Sequence, residues 1–254
     1  MKQLAISQIA ELLAREEEAG SLIHELEQDK RKGVQALLVK WKKQKEQEKL
    51  LKDKFLAMTK YEQNLRYQGF KLIAGVDEVG RGPLAGPVVA AAVILPETFF
   101  LAGIDDSKKL TEKKREEYDE VIRRDALAVS IAVIDADEID KINIYQATKK
   151  AMKTAIASLD PKPEAVLIDA VELEIPFRSE SIIKGDAKSV SIAAASIVAK
   201  VARDRFMKEI AQEYPEYGFQ KNMGYGTKDH LRALEKYGVT PFHRKTFSPV
   251  KELL

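Results

Sequence analysis

The sequence predicts an α/β layer fold with a helical extension at its N-terminus, and three observations predict it. Apolar residues recur at helical spacing through residues 1–70. After Gly69 the pattern changes to short apolar runs bounded by turn residues or charges, as buried strands are. Helical patterns then alternate with those runs, and alternation of this kind builds a sheet covered by helices.

In the extension, Ile9, Leu12 and Leu13 fall on one helical face, as do Leu22, Ile23 and Leu26. Val34, Leu37, Leu38 and Trp41 repeat the stripe, and a longer helix is predicted from Val34 toward Leu65, with Gly20 and Gly33 as breaks. Trp41 lies on the apolar stripe, which predicts a core residue. The domains are therefore drawn as a basic helical extension over 1–70 and a sheet domain over 71–254. Strands are predicted at Leu72–Val76, Val88–Leu95, Ala126–Ile134 and Ala165–Ile168, and helices at Glu112–Arg124, Ile144–Leu159 and Val190–Tyr214. In the last helix Ala193, Ala194, Ala195 and Ala199 are small enough for close packing on a sheet.

The 254 residues carry 42 Lys and Arg against 40 Asp and Glu, a net charge of +2. The balance conceals a gradient of +3 over 1–70, −5 over 71–199 and +4 over 200–254. Lys30–Lys60 alone is +8. Basic flanks around an acidic centre suit a polyanionic partner held beside a carboxylate cluster, although a solvated lysine-rich face has the same composition. The absence of cysteine excludes disulfide scaffolds, zinc ribbons and thiol nucleophiles. The longest stretch free of Asp, Glu, Lys and Arg, Gly82–Pro96, is interrupted by Pro83 and Pro87 and falls short of the roughly 20 residues a membrane helix needs. No signal peptide is read, so a cytoplasmic protein is expected.

The acids fall in informative places. Asp77 and Glu78 end the first apolar run, Asp169 ends the fourth, and Asp186 follows Ser181–Ile183 and Lys184-Gly185. A carboxylate at the end of a buried strand is costly unless a cation compensates it. Four such acids predict hard oxygen ligands for Mg²⁺ or Mn²⁺; taken singly, each is as well read as a cap or loop acid facing water. Asp135, Asp137 and Asp140 read instead as an exposed helix start. Gly80-Arg81-Gly82 follows the first acid pair, and its bare backbone suits close approach to a sugar or phosphate, with Arg81 offering a planar fork.

These residues resemble a family. Asp77-Glu78-Val79-Gly80-Arg81-Gly82-Pro83 with Gly86-Pro87, then Asp106-Ser107-Lys108-Lys109-Leu110, resemble the first two motifs of bacterial ribonuclease HII, the type 2 ribonucleases H. Ile168-Asp169, Lys184-Gly185-Asp186 and the run Ser191–Asp204 resemble the next two, and Gly224-Tyr225-Gly226-Thr227, His230 and Arg244-Lys245-Thr246-Phe247 resemble its C-terminal elements. The resemblance covers roughly residues 70–250. Arg81, in place of lysine, favours type 2 over type 3. Ala170 departs from the glycine expected after the third acid, and residues 1–70 lie outside the family's usual core.

The resemblance implies a ribonuclease H-like fold with a mixed five-stranded sheet. It implies an endonuclease on RNA/DNA hybrids and on single ribonucleotides in duplex DNA, giving 5′-phosphate and 3′-hydroxyl ends; a monomer is expected. Asp77, Glu78, Asp169 and Asp186 map onto the catalytic, metal-binding quartet, expected to hold two Mg²⁺ or Mn²⁺ ions about 4 Å apart. Gly80, Arg81 and Gly82 are expected to read the 2′-hydroxyl, Tyr225 to pack on a sugar, and Ser107, Lys108, Lys184 and Lys188 to contact substrate. His230 reads as structural. A related DNA-junction nuclease and a non-catalytic nucleic-acid-binding protein remain open as alternatives.

Overall fold

The computed structural model describes residues 4–14 and 23–254; Gly20 and Leu22 lie outside the described residues. The chain divides into two compact units, Met1–Lys54 and Phe55–Leu254. In the first, helix α1 (Ile6–Ala14), helical residues 23–28 and the start of α2 (Lys32–Met58) enclose a small core of Ile9, Leu13, Leu26, Val34 and Leu38. Trp41 packs against that core and donates its indole N–H to the Leu13 carbonyl at 2.9 Å. It is a core residue, as the stripe predicts. Gly33 lies inside the first turn of α2 and does not break the helix. A Cβ there would stand 2.6 Å from Ile6 Cδ1, so the glycine serves close helix packing.

The helix predicted toward Leu65 is interrupted at Thr59, which separates α2 from α3 (Lys60–Tyr67). Neither glycine nor proline marks the break; the Thr59 hydroxyl donates to the Leu56 carbonyl and competes locally with the helix. Phe55, Met58 and Leu65 are buried in cores of the second unit, so helical residues 55–67 belong with the sheet.

Five strands build that sheet: β1 (Ile73–Val79), β2 (Val88–Ile94), β3 (Ala128–Ile134), β4 (Ala165–Asp169) and β5 (Arg178–Ile182). Their order is β3-β2-β1-β4-β5; β1, β2 and β3 pair antiparallel, and β1-β4 and β4-β5 pair parallel. The polar edge strand β5 carries no apolar run, which is why hydrophobic pattern alone reveals only four strands. Alternate residues of β2 enter opposite cores: Val88, Ala90, Ala92 and Ile94 face α6 (Ile144–Ser158), and Val89, Ala91 and Val93 face α4 (Glu112–Asp125) and α7 (Val190–Glu213).

Helix α7 lies directly on β1. A Cβ on Gly75 would stand 2.0 Å from the Ser191 carbonyl carbon, and Ala193, Ala194, Ala195 and Ala199 are fully buried. The N-terminus of α7 is capped by Ser189, whose hydroxyl accepts from Ile192 N–H at 3.2 Å. Glu62, on α3, reinforces this cap. Its buried Oε1 accepts from Ser191 N–H at 3.0 Å and from the Ser189 and Ser191 hydroxyls at 2.6 Å each. Beyond the sheet, α5 (Ala136–Ile142), the short α8 (Phe219–Asn222) and α9 (Lys228–Tyr237) complete the second unit. Among the described residues no helix is long and apolar enough to cross a membrane.

Candidate active site

The four singled-out acids collect at one end of the sheet, where β1 and β4 run parallel. Asp77 and Glu78 do not follow the first strand; they lie within it, opposite Ala91 and Ala90 of β2, because pairing continues past the apolar run. Asp169 is the last residue of β4, and Asp186 rides on a 3-10 turn, Gly185–Ala187, just before α7. Asp169 Oδ1 accepts from Gly185 N–H at 2.6 Å and so ties that turn to the strand.

The electrostatics follow from this crowding. Burial, then repulsion from Glu78 and Asp169, holds Asp77 well above the usual carboxylate range, against hydrogen bonds from Ser196 and the Glu78 N–H. Burial raises Glu78 as well, opposed first by Arg81, whose guanidinium lies 3.6 Å from Glu78 Oε1. Asp169 is raised by burial, against its bond from Gly185. Asp186 is raised by burial and by Asp106 and Asp169. The four acids thus feel one another, and each holds its proton more tightly than in water. Among the described residues Glu78 Oε2 has no hydrogen-bond partner, though it is buried. An orphaned carboxylate oxygen in electrostatic reach of Asp77 and Asp169 is a donor suited to a hard divalent cation. Among the described residues no three such side chains form a ready-made ligand shell.

Lys108 acts electrostatically on Glu78, Asp169 and Asp186, which places its ammonium at the site. Ser107 is buried behind it and meets the Ser196 hydroxyl at 3.0 Å, with Ser196 in turn bonded to Asp77. Lys184 and Lys188 are exposed on either side of the turn that carries Asp186.

The glycine loop borders the acids. Gly80 and Gly86 adopt φ of +94° and +87°, where a side chain would be strained, and a Cβ on Gly80 would lie 2.3 Å from Arg203 Nε. Gly82 is different: a Cβ there would have only Tyr225 Cε1 near it, at 3.7 Å. Tyr225 is 49% exposed, so it faces the loop across open space and does not plug the core. Its carbonyl accepts from His230 Nδ1–H at 2.9 Å, and His230 Nε2 meets His243 Nε2 at 3.0 Å. Because Thr240 N–H donates to His243 Nδ1, the consistent arrangement is His243 Nε2–H donating to His230 Nε2, both rings neutral. His230 is structural, as read.

Residue pattern alone misses Arg203, Arg244, Ser196, Asp106 and His243. The signal available for the arginines was their place inside the quoted motifs. Asp140, read as an exposed helix start, accepts from Lys245 N–H, Thr246 N–H and the Thr246 hydroxyl, and so anchors the segment that carries Arg244.

Comparison with known proteins agrees with this geometry. The profile of ribonuclease HII matches residues 74–250, and that of the ribonuclease HII N-terminal domain matches residues 5–66. The second match shows that the helical extension, which lies outside the core that the first profile covers, is itself a domain found in this family. Ribonuclease HII of Bacillus cytotoxicus is 58% identical over 226 residues, 89% of this chain and 87% of that protein. Ribonuclease HII of Bacillus cereus strain B4264 is 58% identical over 229 residues, 90% of this chain and 89% of that one. Among solved structures, ribonuclease H2 from Pyrococcus horikoshii OT3 superposes with a TM-score of 0.63 at 28% identity, covering 71% of this chain and 96% of that one. With the mixed five-stranded sheet, the acids at one end of it and both parts of the chain matched, the protein belongs to the ribonuclease HII family of endonucleases.

Proposed function

We propose that this chain hydrolyses RNA paired with DNA, including single ribonucleotides embedded in duplex DNA, with divalent cations held by Asp77, Glu78, Asp169 and Asp186. The observation that supports the reading is that these four acids lie at one end of β1 and β4, all with raised proton affinity, with the buried Oε2 of Glu78 left without a hydrogen-bond partner among the described residues. Mg²⁺ or Mn²⁺, when bound, supplies a Lewis acid for the phosphodiester and for water at the site. The carboxylates hold and orient, and Lys108 offsets part of their charge toward the phosphate. Cleavage leaves 5′-phosphate and 3′-hydroxyl ends.

Selection of ribose falls to the glycine loop. Among the described residues no acceptor takes the main-chain N–H of Arg81 or Gly82, which leaves both free to meet a 2′-hydroxyl. The open space between Gly82 and the Tyr225 ring seats the sugar, and Lys184 and Lys188 lie where the backbone leaves the site. Exposed Lys40, Lys43, Lys49 and Lys52 of α2 add phosphate contacts, each steepening the salt dependence of binding by about 0.9 in log–log slope. Family membership leaves neither the junction nuclease nor the non-catalytic binder a supporting observation.

Cleavage of a duplex containing one ribonucleotide, by wild type and Asp77→Asn with Mg²⁺ or Mn²⁺, tests the proposal. Wild type cuts it and spares the all-DNA duplex, and the variant loses at least a hundredfold in rate. Equal cutting by the variant refutes the metal site, and equal cutting of both duplexes refutes the ribose reading.

A further inference from the structure

Two arginines are buried beneath the glycine loop, and among the described residues neither forms an ion pair with a carboxylate. Arg203, on α7, is 1% exposed, and Arg244, in the C-terminal segment, is 0% exposed. A buried cation is expensive unless every donor is satisfied, and the usual solution is an ion pair. Here the donors go to main-chain carbonyls. Arg203 donates to Pro87, Ala85 and Met223 at 3.0, 3.2 and 3.0 Å. Arg244 donates to Arg81 at 2.9 Å, to Gly86 at 3.0 and 2.9 Å, and to Gly80. Burial lowers Arg203 to about 10, and burial plus the neighbouring Arg203 lowers Arg244 to about 9.

The consequence is directional. Five carbonyls between Gly80 and Pro87 are drawn inward onto the two guanidinium groups. A peptide unit with its C=O held inward presents its N–H outward, so the Arg81–Gly82 edge shows donors to the solvent. The positive charges below those peptide units strengthen the same donors. Gly80 and Gly86 fit because a Cβ on either would collide with Arg203 or Met207. Arg244 is itself fixed from the side, by the Phe247 ring 5.0 Å away and by Asp140 gripping residues 245 and 246.

We infer that Arg244 and Arg203 are positioning residues that hold the 80–87 loop with the N–H groups of Arg81 and Gly82 outward, and that they thereby set the preference for a ribonucleotide over a deoxyribonucleotide. The inference rests on the 2′-hydroxyl reading of the loop and assigns its cause to two residues that touch no substrate. Lysine cannot replace either, since one ammonium cannot reach carbonyls spread over a planar fork.

The test is equilibrium binding by fluorescence anisotropy in EDTA, where no cation is present and nothing is cut. Two duplexes are compared, one all-DNA and one with a single ribonucleotide, and the ratio of their Kd values is the readout. Arg244→Lys is expected to shrink that ratio at least tenfold toward one, with all-DNA binding changed less than twofold. Asp140→Asn, half-exposed and outside the buried cluster, loosens the same segment and shrinks the ratio about threefold. It decides the matter alone if Arg244→Lys does not fold. Variants that keep the wild-type ratio, even at lower thermal stability, overturn the inference and make the arginines mere packing. A wild type with no preference overturns instead the ribose reading on which it rests.

Discussion

Ala170 stands one residue after Asp169, at the place where the family resemblance leads one to expect glycine, and its φ is +48°. The position is locked: Ala170 N–H donates to the Ile182 carbonyl at 3.1 Å, and Asp169 is fixed on Gly185. An L-residue in left-handed conformation costs about 1–2 kcal/mol. Ala170→Gly removes that strain, and because the methyl is exposed, little burial is lost. Glycine also frees the unfolded chain, which takes back about 0.4–1 kcal/mol. The net expectation is a gain of about 0.5–1 kcal/mol, or roughly 1–4 °C in the thermal midpoint for a unit of this size. Ala170→Val, whose branched side chain tolerates positive φ still less, should lose more than about 1 kcal/mol. Calorimetry on the two variants beside wild type decides it. A glycine variant that melts lower than wild type, or a valine variant that melts the same, refutes the assignment of strain to this residue.

Three further outcomes follow from the same geometry. Since the acids repel one another when no cation is present, Asp77→Asn should melt higher than wild type in EDTA. Wild type should then gain about 2.7 kcal/mol from Mg²⁺ or Mn²⁺ at a hundred times its Kd, a gain the variant largely lacks; equal cation shifts in both would rule out the quartet as the binding site. Glu62→Ala strands the Ser191 N–H and two hydroxyls and should cost about 2–4 kcal/mol by urea unfolding, whereas Glu62→Gln keeps an accepting oxygen and should cost at least 1 kcal/mol less. His243 is held down to about 4 by burial and by His230, so between about pH 6.5 and 4 the unfolded chain binds the extra proton. Stability from this group is therefore full above pH 6.5 and lost on acidification, on the order of 3 kcal/mol by pH 4. The raised carboxylates slope the other way over that range, so the check is a flatter acid limb in His243→Phe than in wild type.

Much of the sheet and of the acid quartet is legible because cost makes it so. A carboxylate against a buried strand is unfavourable, and its presence announces a function before any fold is known. Val88–Leu95 and Val190–Tyr214 are read to within a residue because periodicity and capping act over short spans. The edge strand β5 is not, because its residues are polar and its pairing with β4 is a tertiary fact. Nor is the break at Thr59, which rests on one hydroxyl bond, or the unit boundary near Lys54, which falls inside a continuous helix.

The same cost argument applies to cations, yet it does not reveal Arg203 or Arg244, and the difference is physical. Long aliphatic stems let arginine occupy apolar surface and still reach water, so an arginine on an amphipathic helix reads as a snorkelling side chain. Whether its head is buried depends on what covers it, and here the cover comes from far along the chain. Arg203 reaches Pro87 across 116 residues, and Arg244 reaches Gly80 across 164. A carboxylate has a short stem and no such freedom, so its surroundings show in its immediate neighbours. The acids that would hold the metal are thus written locally, while the cations that shape the loop are written only in the fold. A local reading of the Gly80-Arg81-Gly82 motif identifies which atoms would meet a 2′-hydroxyl, but the reason those atoms face outward lies beneath them.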